Sequence, residues 1–264
     1  MVIRRGAVAA EGWWAPYSPK KRHMLYSLSK SFTSIASAFA AYEGLLDFDA
    51  AVLSYLPEYE RAIPGIDSGI HAVKIKHLLS MSSGHIPNAD FIFQYNDPIA
   101  AFFGSKTGCE PGTRFSYNTG ATYMVSAVIQ RVTGRKLIDY LKPRLFEPLG
   151  IDNITWDECA LGVNMGGTGL NVKTEDIAKF GLFLLKGGMW EGKQLIPAEF
   201  IDRATDKHIN NWPETKYPEM DKPGYEELPK SDWTRGYGYQ FWRCVPDDVY
   251  RGDGAYGQLC VIMP

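Results

Sequence analysis

The sequence predicts an α+β fold in which an antiparallel sheet formed from both chain ends encloses an inserted helical region. Three observations predict it: strand signals at the start, periodic apolar segments through the middle, and alternating strand-like residues that return only near the end. A chain of 264 residues with 45% hydrophobic content can bury a sizeable core. The division expected is a sheet part, residues 1–26 and 236–264, and a mainly helical part with long loops, residues 27–235, together forming a single domain over 1–264.

Each element has a local reason. Val2-Ile3-Arg4 and Ala7-Val8-Ala9-Ala10 flank Arg5-Gly6, where glycine can take positive φ, so the opening reads as a hairpin. From Ser27 to Glu43 the chain is alanine-rich, Phe32, Ile35, Ala36, Phe39 and Ala40 share one helical face, and Gly44 supplies a stop. Further helices are expected over Lys74–Ser80, over Ala121–Val132 ending at Gly134, and over Leu137–Phe146 ending at Pro148. Thr174 is the expected cap of another, with Glu175 and Asp176 in its first turn and Ile177, Phe180, Leu184 and Leu185 as its apolar stripe. Between Thr205 and Arg235 lies a long polar stretch holding Pro213, Pro218, Pro223 and Pro229, read either as a functional wall or as a mobile loop. Tyr237, Tyr239, Phe241 and Arg243 alternate with Gly238, Gln240 and Trp242 as a strand; Pro246-Asp247-Asp248 then turns the chain, and Leu259–Met263 is the last apolar run.

Composition narrows the function. The 28 basic and 30 acidic side chains nearly cancel, so no global field recruits nucleic acid or an anionic membrane. No apolar run approaches the ~20 residues of a membrane span, and the first residues lack the apolar core of a signal peptide, so the expected location is cytoplasmic. Cys109, Cys159, Cys244 and Cys260 are widely spaced without a CxxC pair, which favours reduced thiols over a zinc or disulfide framework. His23, His71, His77, His85 and His208 show no ligand spacing, and neither metal nor cofactor is expected. His85 is a candidate neighbour of the pocket; Phe91, Phe93 and Tyr95 either line an apolar wall or fill core.

One motif carries chemistry. Ser27-Leu28-Ser29-Lys30 places a hydroxyl and an amine three residues apart on one helical face. A serine hydroxyl is a weak nucleophile until a base takes its proton, and a lysine can be that base once burial or neighbouring charge lowers its pKa from about 10.4. Free amides at the helix start can stabilise a developing oxyanion.

The segment YSLSKSFTSIASAFAAYEGLLDFDAAVLSYLPEY resembles the nucleophile helix of the β-lactamase-like, penicillin-recognising serine hydrolases. LLSMSSGH (Leu78 to His85), PGTRFSYNTGATYMVSAVIQRVTG (Pro111 to Gly134) and GTGLNVKTEDIAKFGLFLLKGG are similar to later stretches of that family, most of all to 6-aminohexanoate-dimer hydrolases and related esterases. The resemblance implies a β-lactamase/transpeptidase-like fold and makes Tyr117 the match for the tyrosine of the Y-x-N motif, with Thr119 where the family has Asn. It implies Ser27 as nucleophile, Lys30 as base and Tyr117 as proton carrier to the leaving group. The family's last motif, K-T-G or H-x-G, falls on Gly252-Asp253-Gly254, so Gly252 stands where Lys or His is usual. The amides of Ser27 and Ala255 would form the oxyanion hole, and Thr119, Gly252, Gly254, Gly257 and Gln258 would contact substrate. Family members carry further strands and a helix beyond these limits, so the sheet is expected to be incomplete, with unpaired backbone or apolar surface.

Three look-alikes fail on context. Lys106-Thr107-Gly108 precedes Tyr117 and runs into a turn, whereas the family's motif comes last and on a strand. The glycines of Gly252 to Gly257 are followed by a strand, not the helix a dinucleotide site needs. Gly187 to Lys193 mimics a phosphate loop but follows a helix and lacks the Ser or Thr. The function expected is ester or amide hydrolysis through an acyl-enzyme on a small ester, amide or peptide-like substrate, with no nucleic-acid or membrane partner and the oligomeric state open. The alternatives are a β-lactamase or D-alanyl-peptide hydrolase, and a noncatalytic penicillin-binding-like receptor or scaffold.

Overall fold

In the computed structural model, residues 1–211 and 231–264 are described. Strands β1 (Val2–Arg4) and β2 (Ala7–Ala10) form the expected hairpin, with Arg5 at φ 52° and Gly6 at φ 80°, the left-handed pair of a tight two-residue turn. After β3 (His23–Met24) comes a 3₁₀ turn at Tyr26–Leu28 and then helix α1 (Ser29–Tyr42). Short helices α2 (Pro57–Ala62), α3 (Ser68–His71), α4 (Ile75–Leu79) and α5 (Pro98–Phe103) lead to the long α6 (Thr119–Thr133) and to α7 (Leu137–Leu141), which continues as a wider π-type turn over Lys142–Phe146. β4 (Thr155–Trp156) and β3 both pair with β5 (Leu170–Val172). Helix α8 (Thr174–Leu185), the hairpin β6 (Met189–Trp190) and β7 (Lys193–Gln194), and α9 (Ala198–Thr205) follow. The chain closes with β8 (Trp242–Arg243), β9 (Tyr250–Gly254) and β10 (Gln258–Ile262), an antiparallel sheet in the order β10-β9-β8.

Both chain ends therefore supply antiparallel strands around a helical middle. Among the described residues, hydrogen bonds divide these strands into two ladders, β1-β2 and β10-β9-β8, and α8 packs on β10 and touches β1. Strand β10 has the period of a half-buried strand: Cys260 and Ile262 face α8, while Leu259 and Val261 are half exposed.

Helix α1 is buried nearly all round, and its interior position explains its unusual composition. Phe32 stacks on Phe180 of α8 with ring centroids 3.9 Å apart. Between the apolar side chains, its hydroxyls bind the backbone of two segments that lie against it. Thr33 donates to the Gly166 carbonyl at 2.8 Å, Ser29 accepts from the Leu170 amide at 3.2 Å, and Ser31 and Ser34 donate to the carbonyls of Gln240 and Tyr239. These bonds satisfy irregular backbone that a purely apolar helix would leave unpaired.

The expected strand over Tyr237–Arg243 is realised only at Trp242–Arg243. Gln240 sits at φ 67° and bends the chain, because its buried side chain accepts from Thr122 at 2.7 Å and donates to the Leu79 carbonyl at 2.7 Å. Thr174 is not the cap of α8. Its hydroxyl lies 3.3 Å from His23, and the helix start is closed by the Lys173 amide donating to Asp176. Of the proline-rich stretch, Pro213, Pro218, Pro223 and Pro229 lie outside the described residues. Gly187 to Lys193 is the turn after α8 and most of a hairpin, and all four cysteines are free. Among the described residues, no helix is long and apolar enough to cross a membrane.

Candidate active site

Ser27 occupies the 3₁₀ turn that enters α1, directly after Tyr26, which is held at φ 47°. A left-handed tyrosine costs on the order of 1 kcal/mol and persists only where the surroundings impose it. One turn on, Lys30 is 1% exposed, and its Nζ lies 3.1 Å from Ser27 Oγ. The same nitrogen is 2.8 Å from the Gly167 carbonyl oxygen and 3.3 Å from Thr119 Oγ1, and it stands 5.0 Å from the centroid of the Tyr117 ring. Burial pushes the Lys30 amine down to about 7, and the Asp90 carboxylate opposes that fall. Four residues singled out by sequence, Ser27, Lys30, Tyr117 and Thr119, thus meet around one nitrogen.

Tyr117 and Thr119 are delivered by the start of α6. Asn118, fully buried, caps the helix by accepting from the Ala121 amide at 2.6 Å. This fixes the backbone on which Thr119 turns toward Lys30. The Tyr117 ring stacks on Trp242, with centroids 5.4 Å apart and 24° between planes, and also meets Phe115 and Tyr237. Behind this wall Arg251 lies over Trp233 and Trp242, with Nε 3.0 Å from Asp253 and Nη1 3.1 Å from Cys244 Sγ.

Strand β9 closes the other side. A Cβ at Gly254 would come within 2.2 Å of the Leu25 carbonyl oxygen and 2.9 Å of the Leu28 nitrogen, so only glycine lets the strand press against the Ser27 turn. Ala255 follows it, exposed, in the β9–β10 turn, where Tyr256 contacts Tyr26 at 5.0 Å between centroids. Gly252 is different from what its alignment suggests. A Cβ there would meet Leu28 Cδ1 at 2.4 Å and Ser31 Oγ at 2.5 Å, so the position packs against the start of α1 and a lysine or histidine would have to displace those side chains. Gly257 is a turn residue at φ 80°, and Gln258 interacts with His23 and the Tyr256 carbonyl; neither is drawn to Lys30.

His85 is a buried, satisfied histidine held between the hydroxyls of Ser83 and Ser105, and burial lowers its pKa to about 4. Phe91 and Phe93 pack against the core, whereas Tyr95 is exposed. Sequence reasoning missed two contributors. Gly167, whose carbonyl holds Lys30, lies in the Gly166-Gly167 pair before β5, and the paired glycines were its signal: a Cβ at Gly167 would lie 2.6 Å from Thr119 Cγ2. Asp90, whose carboxylate binds the first amides of α6, has no local spacing that points to it.

The Beta-lactamase family model matches residues 1–264. Among curated relatives, the 6-aminohexanoate-dimer hydrolase of Paenarthrobacter ureafaciens is 24% identical over 219 residues, covering 76% of this chain and 55% of that protein. The lovastatin esterase of Penicillium rubens is 29% identical over 150 residues, covering 48% of this chain and 37% of that protein. The chain thus spans about half the length, or less, of these relatives. Among solved structures, a penicillin-binding protein homologue from Caulobacter crescentus superimposes with a TM-score of 0.69 at 18% identity, covering 90% of this chain and 73% of that one. An octameric penicillin-binding protein homologue from Pyrococcus abyssi gives 0.66 at 20% identity, covering 91% and 58%. These likenesses show a shared β-lactamase/transpeptidase-like fold, and with the match running through the Ser27–Lys30 turn and every other element above, the chain belongs to the Beta-lactamase family.

Proposed function

We propose that this protein is a serine hydrolase that cleaves ester or amide bonds through a covalent acyl-enzyme. The observation that carries the reading is the buried Lys30 amine 3.1 Å from the Ser27 hydroxyl, with its pKa brought down to about 7. A neutral amine has two N–H bonds and one lone pair. Gly167 and Thr119 offer acceptors for the two N–H bonds, which leaves the lone pair for the Ser27 O–H.

In this reading the Ser27 oxygen attacks the substrate carbonyl as its proton moves to Lys30 Nζ. The oxyanion is held by the amides of Ser27 and Ala255, which the close packing of Gly254 on the nucleophile turn supports. As the C–O or C–N bond breaks, the leaving group takes up a proton through the Tyr117 hydroxyl, which draws it from the Lys30 ammonium. Water then attacks the acyl-enzyme, giving its proton back through Lys30 and releasing the acid and free Ser27.

The preferred substrates are uncharged esters or amides, in line with a relative named lovastatin esterase. Gly252 offers no donor to a substrate carboxylate, and Arg251 is engaged by Asp253, Cys244 and two tryptophans. A charge-assisted hydrogen bond is worth about 1.5–3 kcal/mol, so its lack lowers kcat/KM for carboxylate-bearing substrates roughly ten- to a hundredfold. Comparing kcat/KM for short nitrophenyl esters and chromogenic cephalosporins tests this. Better ester turnover is expected; equal or better cephalosporin turnover replaces the reading with β-lactam hydrolysis, and labelling of Ser27 without turnover of either replaces it with a receptor.

A further inference from the structure

We infer that Asp90 is a positioning residue for Lys30, acting through the first turn of α6, where it fixes the Thr119 hydroxyl that Lys30 meets. The inference rests on the serine–lysine reading above and adds a residue that neither spacing nor motif marks.

The geometry is a relay of contacts. One oxygen of the Asp90 carboxylate accepts from the Thr119 amide at 2.5 Å and from the Gly120 amide at 2.9 Å. Asn118 caps the next free amide, that of Ala121. Together they satisfy three of the four N–H groups that a helix start leaves open, in a helix of 15 residues where negative charge is favourable. A Cβ on Gly120 would lie 2.5 Å from the Ala89 carbonyl oxygen, so the 89–90 loop and the helix start are locked in contact. From that turn Thr119 Oγ1 reaches Lys30 Nζ at 3.3 Å. Carboxylate, amide, hydroxyl and amine form one connected line.

Asp90 also acts by charge. Lys30 is faced by the Ser27 hydroxyl from the 3₁₀ turn, the Gly167 carbonyl from the loop before β5, and the Thr119 hydroxyl and Tyr117 ring from the start of α6. Among the described residues, Asp90 is the ion that acts on it. Its negative charge favours the protonated amine and so raises the pH at which Lys30 becomes a free base, against the downward push of burial.

The test is the pH dependence of Ser27 phosphonylation by a fluorophosphonate, followed by intact mass, in the wild type and three variants. Asp90→Asn keeps an oxygen to accept the amides and removes the charge, so the rising limb moves to lower pH and the variant-to-wild-type rate ratio grows as pH falls. Asp90→Glu keeps the charge and the wild-type midpoint, with a lower plateau because the longer side chain displaces the helix start. Asp90→Ser, a second neutral cap, replaces the Asn variant if that protein does not fold. A wild-type midpoint and plateau in the neutral variants, with only the melting temperature lowered, overturns the inference and makes Asp90 a cap alone; a lowered plateau at the wild-type midpoint overturns the charge effect and keeps the positioning through Thr119. A wild type that is not labelled at Ser27, or is labelled with no rising limb, overturns the serine–lysine reading and this inference with it.

Discussion

Lys30 Nζ lies 2.8 Å from the carbonyl oxygen of Gly167, which accepts a hydrogen bond from the amine and has no hydrogen to donate. That bond fixes which way the amine points. With Thr119 as the second acceptor, a neutral Lys30 directs its lone pair at Ser27.

The first consequence is a pH profile. Burial lowers the Lys30 pKa from 10.5 to about 7, and in the proposed mechanism only the neutral amine takes the serine proton. Acylation is expected to rise with pH along a single limb with its midpoint near neutrality. Pre-steady-state burst rates with a nitrophenyl ester from pH 5 to 9 read it directly, and a flat profile contradicts the assignment.

Stability carries the same signature with a definite sign. Between pH 7 and 10.5 the unfolded chain holds a proton on Lys30 that the folded protein does not, so this group makes stability rise with pH in that window. The penalty is full below about 7 and vanishes above 10.5. Lys30→Met should therefore be more stable than wild type below neutrality, by about 1–3 kcal/mol after the lost hydrogen bonds are discounted, and less so at alkaline pH. Urea unfolding at two pH values checks it; a pH-independent difference counts against the depressed pKa.

Gly167→Ala tests the anchor. Its Cβ would meet Thr119 Cγ2 at 2.6 Å and Lys30 Nζ at 3.3 Å, so the loop must shift and carry the carbonyl with it. A loss of about ten- to a hundredfold in kcat is expected, with about 1–3 kcal/mol of destabilisation. Unchanged kcat with lowered stability would show that the carbonyl only packs.

Much of this was readable from local chemistry. The β1-β2 hairpin follows from Arg5-Gly6, the end of α6 from Gly134, although its start lies at Thr119, two residues before the expected Ala121, and the Ser27–Lys30 pair from a three-residue spacing on one turn. What could not be read depends on partners far along the chain. The alternation of Tyr237 to Arg243 describes a strand, yet Gln240 is claimed by Thr122, Leu78 and Leu79, and the chain bends to deliver it. Thr174 has the chemistry of a cap but turns to His23. Gly252 aligns with a substrate-binding lysine, but its environment is set by Leu28 and Ser31.

The role of Gln240 is itself measurable. Gln240→Met keeps the side-chain volume and leaves the Thr122 hydroxyl without its partner in a buried site, while the Leu78 and Leu79 carbonyls keep the backbone amides of Met81 and Gln240. An unpaired buried group costs about 1–3 kcal/mol, so a loss of that size is expected in urea unfolding. A change within about 0.5 kcal/mol would mean that neighbouring groups or water replace the amide.

The central claim is that Ser27 is the nucleophile, and covalent labelling reads it most directly. Wild-type protein treated with a fluorophosphonate should gain the mass of one phosphonyl group, located by peptide mapping on Ser27, and Ser27→Ala should gain none while keeping its melting temperature. Labelling of the Ser27→Ala protein at another serine, or a folded wild type that takes up no label, would contradict the account.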